Sequence, residues 1–431
     1  MPRAKFNLAC DSLSNRMLFL PVRFTRKLGL TAALAAACMC GSSVARAATR
    51  QSAAEPRPQV HSEENRRCPP RDDFNAALVK ASALMEQARY QDAAEMLKPL
   101  SSLNCDARAS LLLAAAFEAV GDAPQAEQSL LRAHSLWPAN NSIAASLARE
   151  YLGAGQVDKA AQALAHFHVT ATTPQQEMEE AVLVYFAAHQ LKSAQAVAEA
   201  AYKSYPSAHT LLLLANALQL EGRYPDVNRL LGDKRKTYAD SPQFFITLAE
   251  SESDAAIYPA AREDLDQAIS LDPKLHQAHY LLGYVLFRLN NADGAIAEFR
   301  RAIDLGSDQP RTYFQLALAL RLKQDQAGEE LALSQALALD DHYAPAHCEM
   351  GRILLEEHRP ADAVSHLTSA IQYNSRSEEA YFLLAKAYSG LGEKDKSDEM
   401  VRQLLIVRKE NRLSPENPNG SQPAADQAKA P

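Results

Sequence analysis

Glycine and aromatic residues are scarce in this chain of 431 residues: 15 Gly, a single Trp, and 7% Phe, Trp and Tyr together. Sheets draw their strands from β-branched and aromatic residues and their tight turns from glycine. The shortage therefore argues against strands, and the abundance of Ala and Leu argues for helices. Positive charge is also short. The formal net charge is −7, and residues 1–47 hold seven Lys/Arg against one acid, Asp11. The remainder carries 38 basic and 51 acidic residues, a net of −13. Such a surplus disfavours nonspecific binding to nucleic acid or to an anionic membrane, both of which demand cations. Long apolar runs are missing as well. The stretch from Leu28 to Cys40 falls well below the roughly 20 residues of a spanning helix.

That stretch reads as an address. Arg23, Arg26 and Lys27 precede it and Ala45–Arg46–Ala47 closes it, the pattern of a secretory signal cleaved after Ala47, bacterial in style. Met17 is an alternative start. A rival reading takes Ala35–Ala36–Ala37–Cys38 as a lipoprotein box with lipid on Cys38. Membrane contact is expected only in that case, and Ala stands where such boxes usually carry a bulky aliphatic residue. Cleavage leaves Cys68, Cys105 and Cys348 of the six cysteines. An exported compartment permits disulfides. Cys68 precedes the first helix of an expected antiparallel pair and Cys105 follows the second, so they are either bridged or two free thiols.

What the chain does have is a period. In "LGYVLFRLNNADGAIAEFRRA", residues 282–302, two apolar-periodic runs flank a polar break. Shifts of 34 carry Gly283 to Ala317, Gly351 and Ala385, and back to Ala249 and Ala215. The same shift carries Ala302 to Ala336 and Ala370, and Phe299 to Leu333, Leu367 and Val401. Fixed self-similarity of this length marks a repeat architecture. Looser copies extend upstream, with Ala114, Phe117, Gly121, Ala126 and Leu130 as the strongest.

These offsets resemble the tetratricopeptide repeat, a helix–turn–helix whose small residues let helices touch. The resemblance implies an all-α, right-handed superhelical solenoid of about ten repeats over residues 74–411. They begin near 74, 107, 141, 175, 208, 242, 276, 310, 344 and 378. Residues 48–73 are expected to be a linker and 412–431 a polar, Pro-rich tail. Two departures predict looser packing: Glu329 and Ser397 stand where the other repeats carry a small apolar residue.

Chemistry is hard to assemble. No phosphate loop, HExxH or nucleophile elbow appears. His166 and His168 are two apart, His276 and His279 lack a completing ligand, and His347–Cys348–Glu349 diverge on a helix. The expectation is no enzyme, no catalytic residues, no metal and no cofactor. Function then falls to the surface. In the family the first helices line a concave groove, and its ligand-facing positions correspond here to Tyr280, Tyr284, Phe287, Arg288, Phe314, Arg321, Arg352, Phe382 and Lys386. Aromatics interleaved with Arg and Lys suit recognition, which suggests a protein or peptide segment of acidic character. The family's carboxylate clamp is not expected: Asn216 fits one of its positions, but Leu212, Thr247, Gln277 and Leu281 occupy the others. The reading is a scaffold or adaptor of the cell envelope, with a polysaccharide-binding or polysaccharide-export accessory as the alternative. A homodimer through the plain last repeat, with Leu404, Leu405 and Ile406, is a further expectation.

Overall fold

The computed structural model describes residues 68–413. The leader, Cys38, residues 48–67 and the tail from 414 lie outside the described residues. Among those described, every regular element is a helix.

The chain divides into two compact units that meet in sequence at Arg223 and Tyr224. In the first, α1 (Arg71–Glu86) pairs with α2 (Tyr90–Ser102), α3 (Ala107–Val120) with α4 (Ala123–Leu136), and α5 (Asn141–Gly153) with the short α6 (Val157–Ala163). Next come α7 (Gln175–Ala187) with α8 (Leu191–Ser204), and α9 (Ala208–Leu220). The second compact unit opens with the short α10 (Tyr224–Gly232), followed by α11 (Pro242–Asp254) with α12 (Tyr258–Leu271), and α13 (His276–Arg288) with α14 (Ala292–Asp304). It ends with α15 (Pro310–Leu322) and α16 (Gln326–Leu339), α17 (Ala344–Glu356) and α18 (Pro360–Tyr373), and α19 (Glu378–Gly390) and α20 (Lys394–Leu413). Helix begins at Arg71, inside the stretch expected to be linker, and runs slightly past 411.

One turn recurs between the helices of a pair. Ala88, Gly121, Gly155, His189, Gly222, Ala256, Asn290, Gln324, His358 and Gly392 all have positive φ, each following the last by one repeat. The next amide reaches back to a carbonyl in the last turn of the first helix, as in Asn291 N to Leu286 O at 2.8 Å and Ile257 N to Glu252 O at 2.7 Å. This is the Schellman closure, which satisfies carbonyls that a helix end leaves open. Short polar caps open three of the following helices: Asp122 accepts from Gln125 N, Asn291 from Gly294 N and Asp325 from Gly328 N, each satisfying an orphan amide.

Small residues sit where helices meet. Ala295, Ala302, Ala336 and Ala370 are fully buried. A Cβ on Gly283 would stand 2.7 Å from Phe299 Cδ1, and one on Gly351 would collide with Leu367. Both expected weak spots are satisfied. Glu329 is buried and accepts from Arg352 Nη2, while the Ser397 hydroxyl donates to Ala385 O at 2.9 Å. At the N-terminal end, Cys68 and Cys105 form a disulfide, their Cα atoms 5.9 Å apart. Cys348 is buried and free, and burial pushes its thiol up, out of the reactive range.

Candidate functional site

Two kinds of arginine occupy the first-helix surface of the second compact unit. The repeat period sets the register, and helical offsets of four put Tyr280, Tyr284 and Arg288 on one face of α13. Arg288 is exposed at the helix end, its guanidinium 4.8 Å from the centre of the Tyr258 ring and 5.8 Å from that of Tyr284. Its Nη1 also donates to the Tyr284 hydroxyl at 2.8 Å. Tyr258 opens α12, so two successive repeats build this aromatic–cation stack. Phe287 is half-buried on the same helix.

The second kind is already neutralised. Arg321 Nη1 meets Glu349 Oε2 at 2.7 Å, and Arg352 Nε meets the same oxygen at 2.5 Å. Arg352 also pairs with Glu356 at 2.6 Å and with buried Glu329. Burial alone would lower the Arg352 pKa, but the Glu349 hydrogen bond and its neighbouring carboxylates raise it further above its usual value. Burial first, then the Glu349 charge, also push Glu379 above the usual carboxylate range. The expectation that Arg321 and Arg352 orient an acidic partner is therefore corrected: their charge is spent inside the array, on acids of the same helix or of a neighbouring repeat.

The aromatics separate in the same way. Phe314 is buried, packed edge-on to Tyr343 at 5.7 Å, because the next repeat covers it; it is core rather than groove. Tyr280 is half-buried between Phe299 at 6.0 Å and the Arg311 guanidinium at 4.8 Å. Phe382 is 58% exposed and Lys386 is exposed, both on α19 at the far end. The geometry thus gathers Tyr284 and Arg288 around Tyr258, which the sequence reading missed, with Phe287 beside Arg288 on α13. It separates them from Arg321, Arg352, Phe382 and Lys386.

Another ladder missed from sequence lies in the first compact unit. Arg149 on α5 bridges Glu118 of α3 at 3.2 Å and Glu180 of α7 at 3.1 Å. The signal was present: opposite charges spaced by one period less one helical turn fall on facing sides of successive first helices. Burial raises Glu118 above the usual carboxylate range, against the pull of Arg149.

A third cluster sits beside α12. Arg235, in the turns after α10, spans Asp264 (Nη2 to Oδ2 2.7 Å) and Glu252 (Nη2 to Oε1 3.2 Å). Burial and then the Asp264 carboxylate push Glu252 upward, with Arg235 opposing them. Two buried acids share one cation.

The histidines bridge helices. His279 Nδ1 meets Glu298 Oε2 at 2.7 Å and its Nε2 meets Pro273 O at 3.1 Å. Two repeats later the same positions hold His347 and His366, with their Nδ1 atoms 3.0 Å apart, and His347 Nε2 lies 3.0 Å from Asp341 O. His166 and His168 follow the end of α6 rather than sharing a helix, and His168 Nδ1 meets His166 O at 2.9 Å. Asp340, Asp341 and His342 bring one donor atom each within 4.8 Å of one another, on a largely exposed turn. No helix among the described residues is long and apolar enough to cross a membrane.

One tetratricopeptide-repeat family model matches residues 78–141 and 246–310, and a second matches 354–414. No curated protein matches the chain. Among solved structures, the chain is similar to PilW, a type IV pilus biogenesis factor, at 19% identity, covering 48% of this chain and 96% of that one, with a TM-score of 0.44. A tetratricopeptide repeat protein from Parabacteroides merdae is similar at 14% identity over 54% of this chain and 93% of its own, with a TM-score of 0.43. Yeast Tom70 is similar at 14% identity over 78% of this chain and 92% of its own, with a TM-score of 0.39. By its period, its packing positions and the family match, this chain is a tetratricopeptide-repeat protein.

Proposed function

We propose that the chain is a non-enzymatic scaffold that holds a segment of a protein partner on its first-helix surface, around Tyr258, Tyr284, Phe287 and Arg288. The observation that carries this reading is the Arg288 stack. A guanidinium resting on tyrosine rings stays charged and exposed, so it is available to a carboxylate arriving from outside. Arg321 and Arg352 have internal acids in that role. The rings supply flat apolar area beside the charge, the composition of a binding hot spot. The partner segment accordingly presents an acidic side chain next to an apolar one.

The leader supports an exported protein of the cell envelope, with a membrane in reach only through lipid on Cys38. A photo-crosslinking amino acid at Phe287, introduced in the producing cell, tests the surface. An adduct with a protein that disappears in the Arg288→Glu variant is expected. An adduct indifferent to that change moves recognition elsewhere. Loss of the adduct on adding oligosaccharide would transfer the site to polysaccharide recognition.

A further inference from the structure

A repeat array carries its own template for what fits its ends, because each internal junction uses the same positions. The junction between α18 and α19 is one apolar cluster in which Ala363, Leu367 and Ala370 of α18 meet Ala380, Leu383 and Ala387 of α19. Near the other end, Ala93, Ala94 and Leu97 of α2 meet Ala109, Leu112, Leu113 and Ala116 of α3 in the same way.

At the C-terminal end the face is uncovered in part among the described residues: Leu404, one repeat after Ala370, is buried and Ser397, after Ala363, is half-buried, while the apolar side chains beside them are exposed. Val401 stands one repeat after Leu367, which is fully buried, yet it is 44% exposed. Phe382 stands one repeat after Cys348 and two after Phe314; these are 7% and 6% exposed, and Phe382 is 58% exposed. Leu405, one turn beyond Val401, is 57% exposed. The polar tail from 414 to 431 holds no apolar side chain larger than Ala or Pro, so it offers nothing to replace a leucine-bearing helix.

The N-terminal end presents the other half of that junction. Ala76, Val79 and Ala83 of α1 are not buried, while their counterparts one repeat later, Ala109, Leu112 and Ala116, are 0%, 1% and 0% exposed. One position departs from the template: Lys80 stands where Leu113, 5% exposed, is buried.

We infer that a second copy of this chain covers the C-terminal end, its α1 lying on α20 as α3 lies on α2. The contact is head-to-tail, so it leaves a free end on each partner and extends by further copies unless the rotation closes a ring. Lys80 weakens each contact relative to an internal junction, which keeps association reversible and dependent on concentration. The arrangement places several first-helix surfaces in one assembly and multiplies weak recognition through avidity.

Sedimentation velocity of the purified chain over a concentration series, with two surface variants, tests this. Wild type is expected to form dimers and larger species as concentration rises. Val79→Asp and Leu405→Asp are each expected to remain monomeric alone, with unchanged circular dichroism. Mixed, they retain one free tail and one free head and should form a one-to-one dimer that grows no further. Lys80→Leu should tighten association about tenfold or more, the effect of burying one leucine. A wild type monomeric at every concentration overturns the inference. So does Val79→Asp associating like wild type, which would mean tail-to-tail contact, or a mixture that stays monomeric.

Discussion

The Cβ that Gly283 lacks would lie 2.7 Å from Cδ1 of Phe299, so the glycine and the ring are two halves of one fit. Elsewhere the same pair is Ala317 with Leu333, or Ala249 with Leu265, all fully buried. Gly283→Ala is therefore expected to destabilise the α13–α14 repeat by about 1–3 kcal/mol, the cost of overpacking. Adding Phe299→Leu, the combination the array already uses, should recover most of it. Urea titration of both variants checks this; a double variant no better than the single would refute the pairing.

Arg352 offers a sharper loss. Removing it strands buried Glu329 and leaves buried Glu349 with Arg321 alone, and breaking a buried pair from one side costs about 3–5 kcal/mol. Arg352→Ala should open the α15–α18 region locally, read as faster amide exchange there. Arg288→Ala, whose arginine rests on an exposed face, should change stability by less than about 1 kcal/mol. Equal effects would mean that the two arginines do not differ in role.

A pH dependence follows from Glu252. Its pKa is raised above the ordinary 4.5 by burial and then by Asp264, so the folded chain keeps a proton that the unfolded chain releases. Stability from this site is present on the acid side and is lost as pH rises above about 4.5 through the folded value. Glu252→Gln removes the titration. Its Tm should gain on wild type as pH moves from about 5 to about 8; a constant difference would show that Glu252 is ionised throughout.

The left-handed turns allow a gain. Ala256 has φ of 61°, a conformation that costs a residue with a Cβ about 1–2 kcal/mol, and glycine gives up part of that advantage through its freer unfolded state. Ala256→Gly should stabilise by about 0.5–1 kcal/mol in denaturant titration. The same change at Ala268, buried in α12, should destabilise.

The period was legible because small residues recur at most junctions, and about ten helix–turn–helix repeats follow from it. Turn conformation was legible only where glycine marks it. His189, Gln324 and His358 show nothing in their chemistry, since helix pairing imposes their positive φ. The site was legible in part. Tyr284 and Arg288 share a face by helical offset, but Tyr258 joins them from the preceding repeat, which periodicity within one helix does not reveal. The fifth position of the repeat shows the limit most plainly: Tyr280, Phe314 and Phe382 look alike in sequence, and burial follows whether another repeat lies on top. Arg321 and Arg352 misled because their carboxylates in neighbouring repeats sit at offsets of 28 and 23, away from the repeat length itself.

The Cys68–Cys105 bond encloses the whole of the first helix pair. A chain drawn out by its ends, as during threading through a narrow pore, would lengthen by each residue released, at about 3.3–3.6 Å apiece. The segment closed by this bond, a sequence separation of 37, would contribute almost nothing to that extension while it is oxidised, and would travel as a doubled strand. The disulfide therefore acts as a mechanical stop as well as a staple: with it closed, force passes through the bond and bypasses the enclosed helix pair, and reduction alone frees that length.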